Sequence, residues 1–183
     1  MFERRRRRAL LGLGGLLGLA GCGFRPLYAP VTAEDGGAAD IRDELAAVRV
    51  GNVPERSGQL LRRDLQRRFE GVRLGVPARY TLQVAVTYAA EPLGYRRDGT
   101  ITRLRYTASG IWSLATLSVP PRQIAASAIP SRAIDAFNIP DLQFFAADSA
   151  RDAMEGRLVE QLAEEIFRRV AMELRREREQ RAG

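Results

Sequence analysis

Two stretches in the middle of the chain alternate between apolar and polar residues. In Tyr80–Tyr88, YTLQVAVTY, every second side chain is aliphatic or aromatic, and a similar alternation runs from Leu104 to Leu114. Successive side chains of a β-strand point to opposite faces, so each stretch predicts a strand with one buried face. The twelve residues that follow the first stretch, residues 89–100, include the turn residues Asp98 and Gly99, so we expect an antiparallel hairpin with a sizeable tip.

Two further stretches repeat apolar residues every fourth position, which is close to the period of a helix. The first lies between Ser57, its expected N-terminal cap, and Gly71, just past its expected end, and its stripe consists of Leu61, Leu65 and Phe69. The second follows Pro140, and its stripe consists of Met154, Leu158, Leu162, Ile166, Val170 and Leu174. A spacing of four drifts about 40° per step around a helix, so the second stripe predicts a long helix lying across a twisted sheet.

Shorter patterns complete the predicted fold. Residues 46–53 predict a strand stopped by Pro54, and residues 123–137 predict another, in which Pro130 requires a bulge or an edge position. The element order β-α-β-β-β-α predicts an α+β fold, with two helices packed on one face of a four-stranded mixed or antiparallel sheet. The other face is too polar for a core and is expected to face water or a partner; it carries Thr81, Gln83, Thr87, Arg103, Arg105 and Ser109.

The first 21 residues have the pattern of an export leader. Five arginines, Arg4–Arg8, precede twelve apolar or glycine residues, Ala9–Ala20. A membrane-spanning helix takes about 20 residues, so this shorter segment predicts a secretory signal peptide over residues 1–21. The signal ends in Leu-Ala-Gly-Cys, which resembles the lipobox of bacterial lipoproteins. Cys22 is then expected to become the first residue and to carry the acyl chains of a membrane anchor; a cysteine standing there by chance is the alternative.

The residues after the cysteine predict the destination and the organisation of the mature chain. In the sorting rule familiar from enteric bacteria, an aspartate after the cysteine favours the inner membrane, so Gly23 predicts the outer membrane, whichever export route is used. Residues 22–44 are expected to be a lipidated N-terminus and flexible tether, since residues 28–40 are rich in glycine, small residues and acids. Residues 45–178 are expected to form one α+β domain, and residues 179–183 a frayed tail.

Composition narrows the classes of function. The 183 residues carry a net charge of +7, but the first eight, with five arginines and one glutamate, supply +4 of it and leave +3. A net charge of +3 on the rest of the chain gives no indication of a nucleic-acid partner. The chain has no histidine and one cysteine, so no Ser-His-Asp or Cys-His nucleophile is expected, and no metal or cofactor. Carboxylates such as Glu164 and Glu165 stand at ion-pair spacing from Arg168 and Arg169, so we expect a binding or assembly protein that is not an enzyme.

Two stretches of sequence resemble a known family. GCGFRPLY, residues 21–28, and FNIPDLQFFAADSARDA, residues 137–153, leading into LVEQLAEEIFRRVAMEL, are similar to the lipopolysaccharide-assembly lipoprotein family LptE in its alphaproteobacterial form. The resemblance covers nearly all of residues 22–175. It implies two helices on a four-stranded sheet, an anchor in the inner leaflet of the outer membrane, and a place inside the β-barrel LptD. There the family assists barrel assembly, plugs the lumen and is thought to bind lipopolysaccharide.

Arginines of the hairpin are the candidate contacts for lipopolysaccharide. Phosphates and sugars suit planar, permanently charged donors, which Arg96 and Arg97 supply at the tip and Arg103 and Arg105 supply one strand along. A solvated hairpin tip is the alternative for these residues. Two alternative functions also stay open. One is the auxiliary lipoprotein of an ABC-type lipid transporter or another periplasmic binding lipoprotein, and the other is a cell-wall carbohydrate hydrolase, which needs only two carboxylates, or a carbohydrate binder.

Overall fold

A computed structural model describes residues 36–141 and 144–182. Contacts within the chain group the residues from Gly36 onward into one compact unit. The described residues form three helices and five strands, in the order α1 (Gly36–Ala46), β1 (Val48–Val50), α2 (Arg56–Val72), β2 (Tyr80–Tyr95), β3 (Ile101–Thr116), β4 (Gln123–Ala126), β5 (Ser131–Asn138) and α3 (Phe144–Ala182). The predicted signal peptide, Cys22 and the tether up to residue 35 lie outside the described residues.

The sheet is mixed and four strands wide. β2 and β3 form the predicted antiparallel hairpin, paired from Tyr80 opposite Thr116 to Tyr95 opposite Ile101, with register shifts between Pro92 and Tyr95. β1 runs parallel to the start of β2, and β4 and β5 both pair antiparallel with the far edge of β3. The stretch predicted as one strand over residues 123–137 therefore forms two strands, and both pair with the same edge of β3. Pro130 lies between them, where the absence of its amide hydrogen costs no strand pairing.

The predicted helix layer is confirmed on one face of the sheet. The inward-pointing residues of the hairpin and the stripes of α2 and α3 are buried together, and the rings of Phe69 and Phe167 stand 5.0 Å apart between the two helices. Gly110 of β3 lies directly beneath α3, since a Cβ atom there would stand 3.3 Å from Cδ1 of Ile166. The α+β class and the open second face are therefore as predicted.

The helix α1 is an addition to the two predicted helices. It occupies Gly36–Ala46, so it takes up the last nine residues of the predicted tether, residues 36–44, and the first two of the predicted domain, and it buries Ile41, Leu45 and Ala46. Ile41 and Leu45 stand four residues apart, which is one turn of a helix. A single turn of apolar spacing beside glycines and acids carries too little periodicity to predict a helix.

Several boundaries also differ from prediction. β2 continues to Tyr95 and β3 starts at Ile101, so both strands are longer than their alternating patterns. Ser57 lies inside α2, and the N-cap is Glu55, which has φ of 65° and makes no capping hydrogen bond through its side chain. The expected cap at Ser57 is therefore wrong, because the connection from β1 starts the helix two residues earlier.

The last turns of α3 are helical to Ala182, where the sequence predicted a frayed tail. Arg122, just before β4, binds Glu177 at 2.8 Å, and Arg181 binds the same carboxylate at 3.1 Å. The charged residues that suggested fraying thus form the ion pairs that attach the end of α3 to the residue before β4.

Acidification should loosen this end of α3. The hydrogen bond from Arg122, together with Arg181, lowers the pKa of Glu177 below its ordinary value of 4.5, against the opposing effect of burial. A carboxylate with a depressed folded pKa stabilises the fold above its unfolded pKa and loses that contribution as the pH falls through the folded value. We expect amide protection in residues 174–182 to drop as the pH falls below 4.5, measured by hydrogen exchange corrected for its intrinsic pH dependence. Arg122→Gln should move the drop to higher pH; unchanged protection in both proteins would contradict the contact.

Two glycines of α2 should respond to alanine in opposite directions. A Cβ at Gly58 would stand 2.7 Å from Cγ1 and 3.1 Å from the backbone oxygen of Val53, whereas one at Gly71 would meet nothing within 4 Å. Gly71→Ala should raise the free energy of unfolding by up to about 1 kcal/mol through helix propensity. Gly58→Ala should lower it by about 1–3 kcal/mol through overpacking, despite the same gain in propensity. Urea denaturation of both variants checks the pair, and stabilisation by both would contradict the close approach at Gly58.

Candidate functional site: the open face of the sheet

One face of the sheet is left uncovered by the described helices. On β2 and β3 the even-numbered residues point toward the helices and the odd-numbered ones point away, so that Leu82 and Leu114 are buried while Gln83 and Thr87 are exposed. We call the outward surface the open face. It agrees with the prediction of a polar sheet face directed at water or a partner.

The open face is less polar than the sequence suggested. Ile111 and Ile134 both lie on it and are 54% and 56% exposed. Ile134 is opposite Thr107 across the β3–β5 pair, and Ile111 is opposite Ala85 across the β2–β3 pair. The face therefore combines small, polar and a few aliphatic side chains, a composition that suits contact with an amphiphilic partner.

Arg103 and Arg105, two of the four candidate arginines, lie on this face. Both are exposed and stand two residues apart on β3. A guanidinium nitrogen of Arg105 lies 3.3 Å from the Glu91 carboxylate on the neighbouring strand. Arg103 has no ion pair with any described residue. Arg103 thus presents a free charge, whereas the charge of Arg105 is shared with Glu91.

A third arginine of the open face was missed from the sequence. Arg132 of β5 is opposite Ser109 of β3, so its side chain emerges on the same face as Arg103 and Arg105. It is exposed. The alternation of residues 131–137 places Arg132 on the polar side of its strand. Which face of the sheet that side joins depends on the pairing of β5 with β3, and the sequence of β5 alone does not determine that pairing.

The other two candidates, Arg96 and Arg97, lie in the hairpin tip. The tip is closed by hydrogen bonds from the Arg96 amide to Thr100 at 2.8 Å and from the Thr100 amide to the Asp98 carboxylate at 2.9 Å. Gly99 adopts φ of 85°, which favours glycine, so the predicted turn residues are confirmed. The hydrogen bonds from Thr100 lower the pKa of Asp98.

The structure does not gather all four candidate arginines into one cluster. A guanidinium nitrogen of Arg96 stands 3.8 Å from the carboxylate of Asp141, just past the end of β5, and Arg97 is exposed in the turn. Arg103 and Arg105 belong instead to the open face, together with Arg132. Cys22, the predicted lipidation site, lies outside the described residues.

Several acidic side chains in the described part of the chain form ion pairs with arginines. Glu165 binds Arg168 and Arg169, each at 2.7 Å, as its spacing predicted. Glu164 binds Arg68 of α2 at 2.5 Å, a pair between helices that the sequence did not suggest. Within residues 36–141 and 144–182, no group of three or more acids or cysteines is placed to hold a metal ion.

Two shallow grooves lie on the opposite side of the molecule, along α2. Their volumes are about 410 and 490 Å³, and Arg63 and Arg67 line both. The second groove continues onto α3 at Gly156 and Glu160. These arginines are exposed on α2, in the helix layer that covers the other face of the sheet, and so provide a matched control for experiments on Arg103.

Comparison with known proteins identifies the fold. The chain is similar to a protein of Caulobacter crescentus CB15 that was solved as a candidate lipoprotein, with a TM-score of 0.60 and 20% identity over 73% of this chain and 95% of that one. It is also similar to a minor lipoprotein of Acinetobacter baumannii, with a TM-score of 0.52 and 13% identity over 69% and 92% of the two chains. A comparison with curated proteins finds no significant match.

The fold that this chain shares with these solved structures defines a class of small α+β domains. A sequence profile described as LptE, lipopolysaccharide-assembly, matches residues 45–170. The chain belongs to the LptE family. Its role is in lipopolysaccharide transport and assembly, and the proteins of this family are lipoproteins associated with the outer membrane. Among the described helices, none has the length and apolar character needed to cross a bilayer.

Proposed function

We propose that this chain is an outer-membrane lipoprotein that assists the assembly of the LptD β-barrel, occupies its lumen and binds lipopolysaccharide on its way to the cell surface. The observation that carries the proposal is membership of the LptE family over residues 45–170. It favours this role over that of an auxiliary lipoprotein of an ABC-type transporter.

The open face supports contact with a barrel wall. The interior of a large membrane β-barrel is polar, so a surface that fits inside it needs polar and small side chains and no large apolar patch. Gln83, Thr87 and Ser109 have this character, and the isolated Ile111 and Ile134 do not form a large apolar area. The helix layer already covers the other face of the sheet, so the domain needs no partner to complete its core.

The arginines of the open face support binding of lipopolysaccharide. Residues two apart on one strand are about 7 Å apart, so Arg103 and Arg105 offer two planar charged donors to a phosphate-bearing headgroup. Arg132 adds a third guanidinium on the adjoining strand, and Ile134 lies two residues along from it. Charge and aliphatic surface together match the two chemistries of a lipid with an anionic headgroup.

The anchor limits how far the domain can stand from the membrane. We propose acyl chains on Cys22, with the flanking amino group available for a further chain, because two or more chains hold a protein stably on a bilayer. Fourteen residue steps lead from Cys22 to Gly36 at the start of α1. An extended chain of that length spans at most about 50 Å, which keeps the folded domain within reach of a barrel in the same membrane.

Purification from native membranes tests the barrel partner. After mild detergent extraction, the lipoprotein should be recovered with a large β-barrel protein at matched stoichiometry. Depletion of the lipoprotein should reduce surface lipopolysaccharide and leave the barrel misassembled. Recovery of the lipoprotein alone, together with normal lipopolysaccharide display after depletion, would refute the proposed function.

Removing the free charge of the open face should weaken lipopolysaccharide binding. Arg103→Gln should raise the dissociation constant roughly tenfold, because a hydrogen bond to a charged group contributes about 1.5–3 kcal/mol and 1.4 kcal/mol is a factor of ten. Arg105→Gln should have a smaller effect, since Glu91 already takes part of that charge. Arg63→Gln on α2 is the control and should bind as the parent does. Equal losses for all three variants, measured with purified lipopolysaccharide in detergent, would indicate a non-specific charge effect.

A further inference from the structure

The outer edge of β2 is mostly unpaired. β1 covers it only from Tyr80 to Leu82, although β2 has 16 residues and continues to Tyr95. Beyond Leu82, none of the strands in the described ranges pairs with this edge. A long free edge is a row of backbone donors and acceptors onto which another strand can add.

Hydrogen bonds at the start of β2 show which backbone groups face outward. The Leu117 amide donates to the Arg79 carbonyl at 2.9 Å, so the odd-numbered residues of this strand bond to β3. The Leu82 carbonyl accepts from the Gly51 amide at 2.8 Å, so the even-numbered residues face away from β3. Backbone direction alternates along an antiparallel strand. The amides of Val86, Tyr88 and Ala90 therefore point to the free edge.

This edge lacks the usual protection against strand addition. Natural edges are blocked by charged residues, prolines or bulges, or are covered by other elements. From Gln83 to Ala90 the strand carries no charge, and the first blocking features are Glu91 and the register shift at Pro92. Tyr88 is 37% exposed, so the helix layer does not fully cover this part of the strand. An unpaired edge of eight uncharged residues is consistent with a strand that pairs with another chain when the protein is bound to its partner.

We infer that the edge from Val86 to Ala90 accepts an extended segment of the β-barrel partner as an additional strand. This inference rests on the proposed function, which supplies the partner. The edge adjoins the open face through the side chains of Ala85, Thr87 and Ala89, so one partner in contact with that face can reach both. Strand addition supplies affinity through main-chain hydrogen bonds, and the alternate side chains supply selectivity.

The length of the edge argues against a second copy of this chain as the occupant. Five residues of strand extend about 17 Å. A pair of such edges alone buries far less than the roughly 1,200 Å² of a stable interface. A segment of a partner already held on the open face needs no such area of its own, because its binding is effectively intramolecular.

Hydrogen exchange on the full lipoprotein in detergent, free and bound to the co-purified barrel, tests the inference. In the free protein the amides of Thr87 and Ala89 should be protected by β3, while those of Val86, Tyr88 and Ala90 exchange rapidly. In the complex the even-numbered set should slow by at least about tenfold, because edge amides gain hydrogen bonds, and the odd-numbered set should change little. A complex that forms without slowing the even-numbered amides overturns the inference and leaves the proposed function standing.

A pair of variants at Ala90 separates the backbone from the side chain. Ala90→Pro removes an outward amide hydrogen without breaking a bond to β3, whereas Ala90→Val enlarges the side chain and keeps the amide. We expect both to melt near the parent temperature and only the proline variant to lose barrel recovery, by at least about tenfold for a hydrogen-bonded edge. Equal recovery of barrel with both variants, or edge protection that rises with the concentration of the free lipoprotein, would overturn the barrel segment as the occupant.

Discussion

Replacement of Cys22 by serine should remove the protein from the outer membrane. A serine hydroxyl is not a substrate for the thioether link to diacylglycerol, so neither the acyl chains nor the cleavage that depends on them is expected. Each buried methylene contributes about 0.8 kcal/mol to membrane binding, so the two acyl chains proposed for Cys22 would supply essentially all of the anchoring. The outer-membrane fraction of the Cys22→Ser variant should therefore fall to background, and its intact mass should lack the lipid.

Gly23→Asp is the matched control for this experiment. It keeps the thiol, so its mass should still include the lipid, but the residue after the cysteine should now favour the inner membrane. Separation of the two membranes by density distinguishes the outcomes. A Cys22→Ser protein that still sediments with the outer membrane would show that something other than acyl chains holds it there.

Phe69→Ala should be the most destabilising single substitution in the helix layer. Phe69 is fully buried between α2 and α3, and its ring stands 5.0 Å from that of Phe167. Truncating a buried phenylalanine to alanine costs about 3–5 kcal/mol, through lost transfer energy and the cavity left behind. A domain with about 5–15 kcal/mol of stability would then lose a large part of it, and its melting temperature should fall by roughly 6–20 °C.

Phe145→Ala makes the same chemical change at the surface. Phe145 in the first turn of α3 is 91% exposed, so its removal should leave the free energy of unfolding within about 0.5 kcal/mol of the parent. Urea denaturation of both variants, with the slope checked for two-state behaviour, measures the difference. Similar losses from both substitutions would contradict the packing of α2 against α3.

Patterns of period two and of period four predicted most of the fold. The hairpin, the helix from Leu61 to Phe69 and the long last helix follow from local spacing, because the buried side of an element repeats with its own geometry. The helix α1 did not follow, since Ile41 and Leu45 provide only one turn of pattern. β2 also extends beyond Tyr88, where its alternating pattern of apolar residues ends, because its backbone pairing with β3 continues through residues whose side chains are exposed.

The candidate site was predicted only in part. Alternation put Arg103 and Arg105 on the polar side of β3, and the structure confirms that side as open. Arg132 joined them only through the register of β5 against β3, and Glu91 was identified as the partner of Arg105 only through the register of β2. The register of two strands places residues that are far apart in the chain opposite each other. Local sequence patterns do not determine that register.

The sequence by itself determined the fold class, the helix-covered side of the sheet and the scarcity of catalytic groups, because apolar periodicity and composition are local properties of the chain. Only the tertiary structure decided that α1 joins the core, that two strands share the far edge of β3, and that the outer edge of β2 stays unpaired beyond Leu82. Each of these depends on which distant segments meet. That choice is made by the packing of the whole domain, where many weak contacts add up to one arrangement.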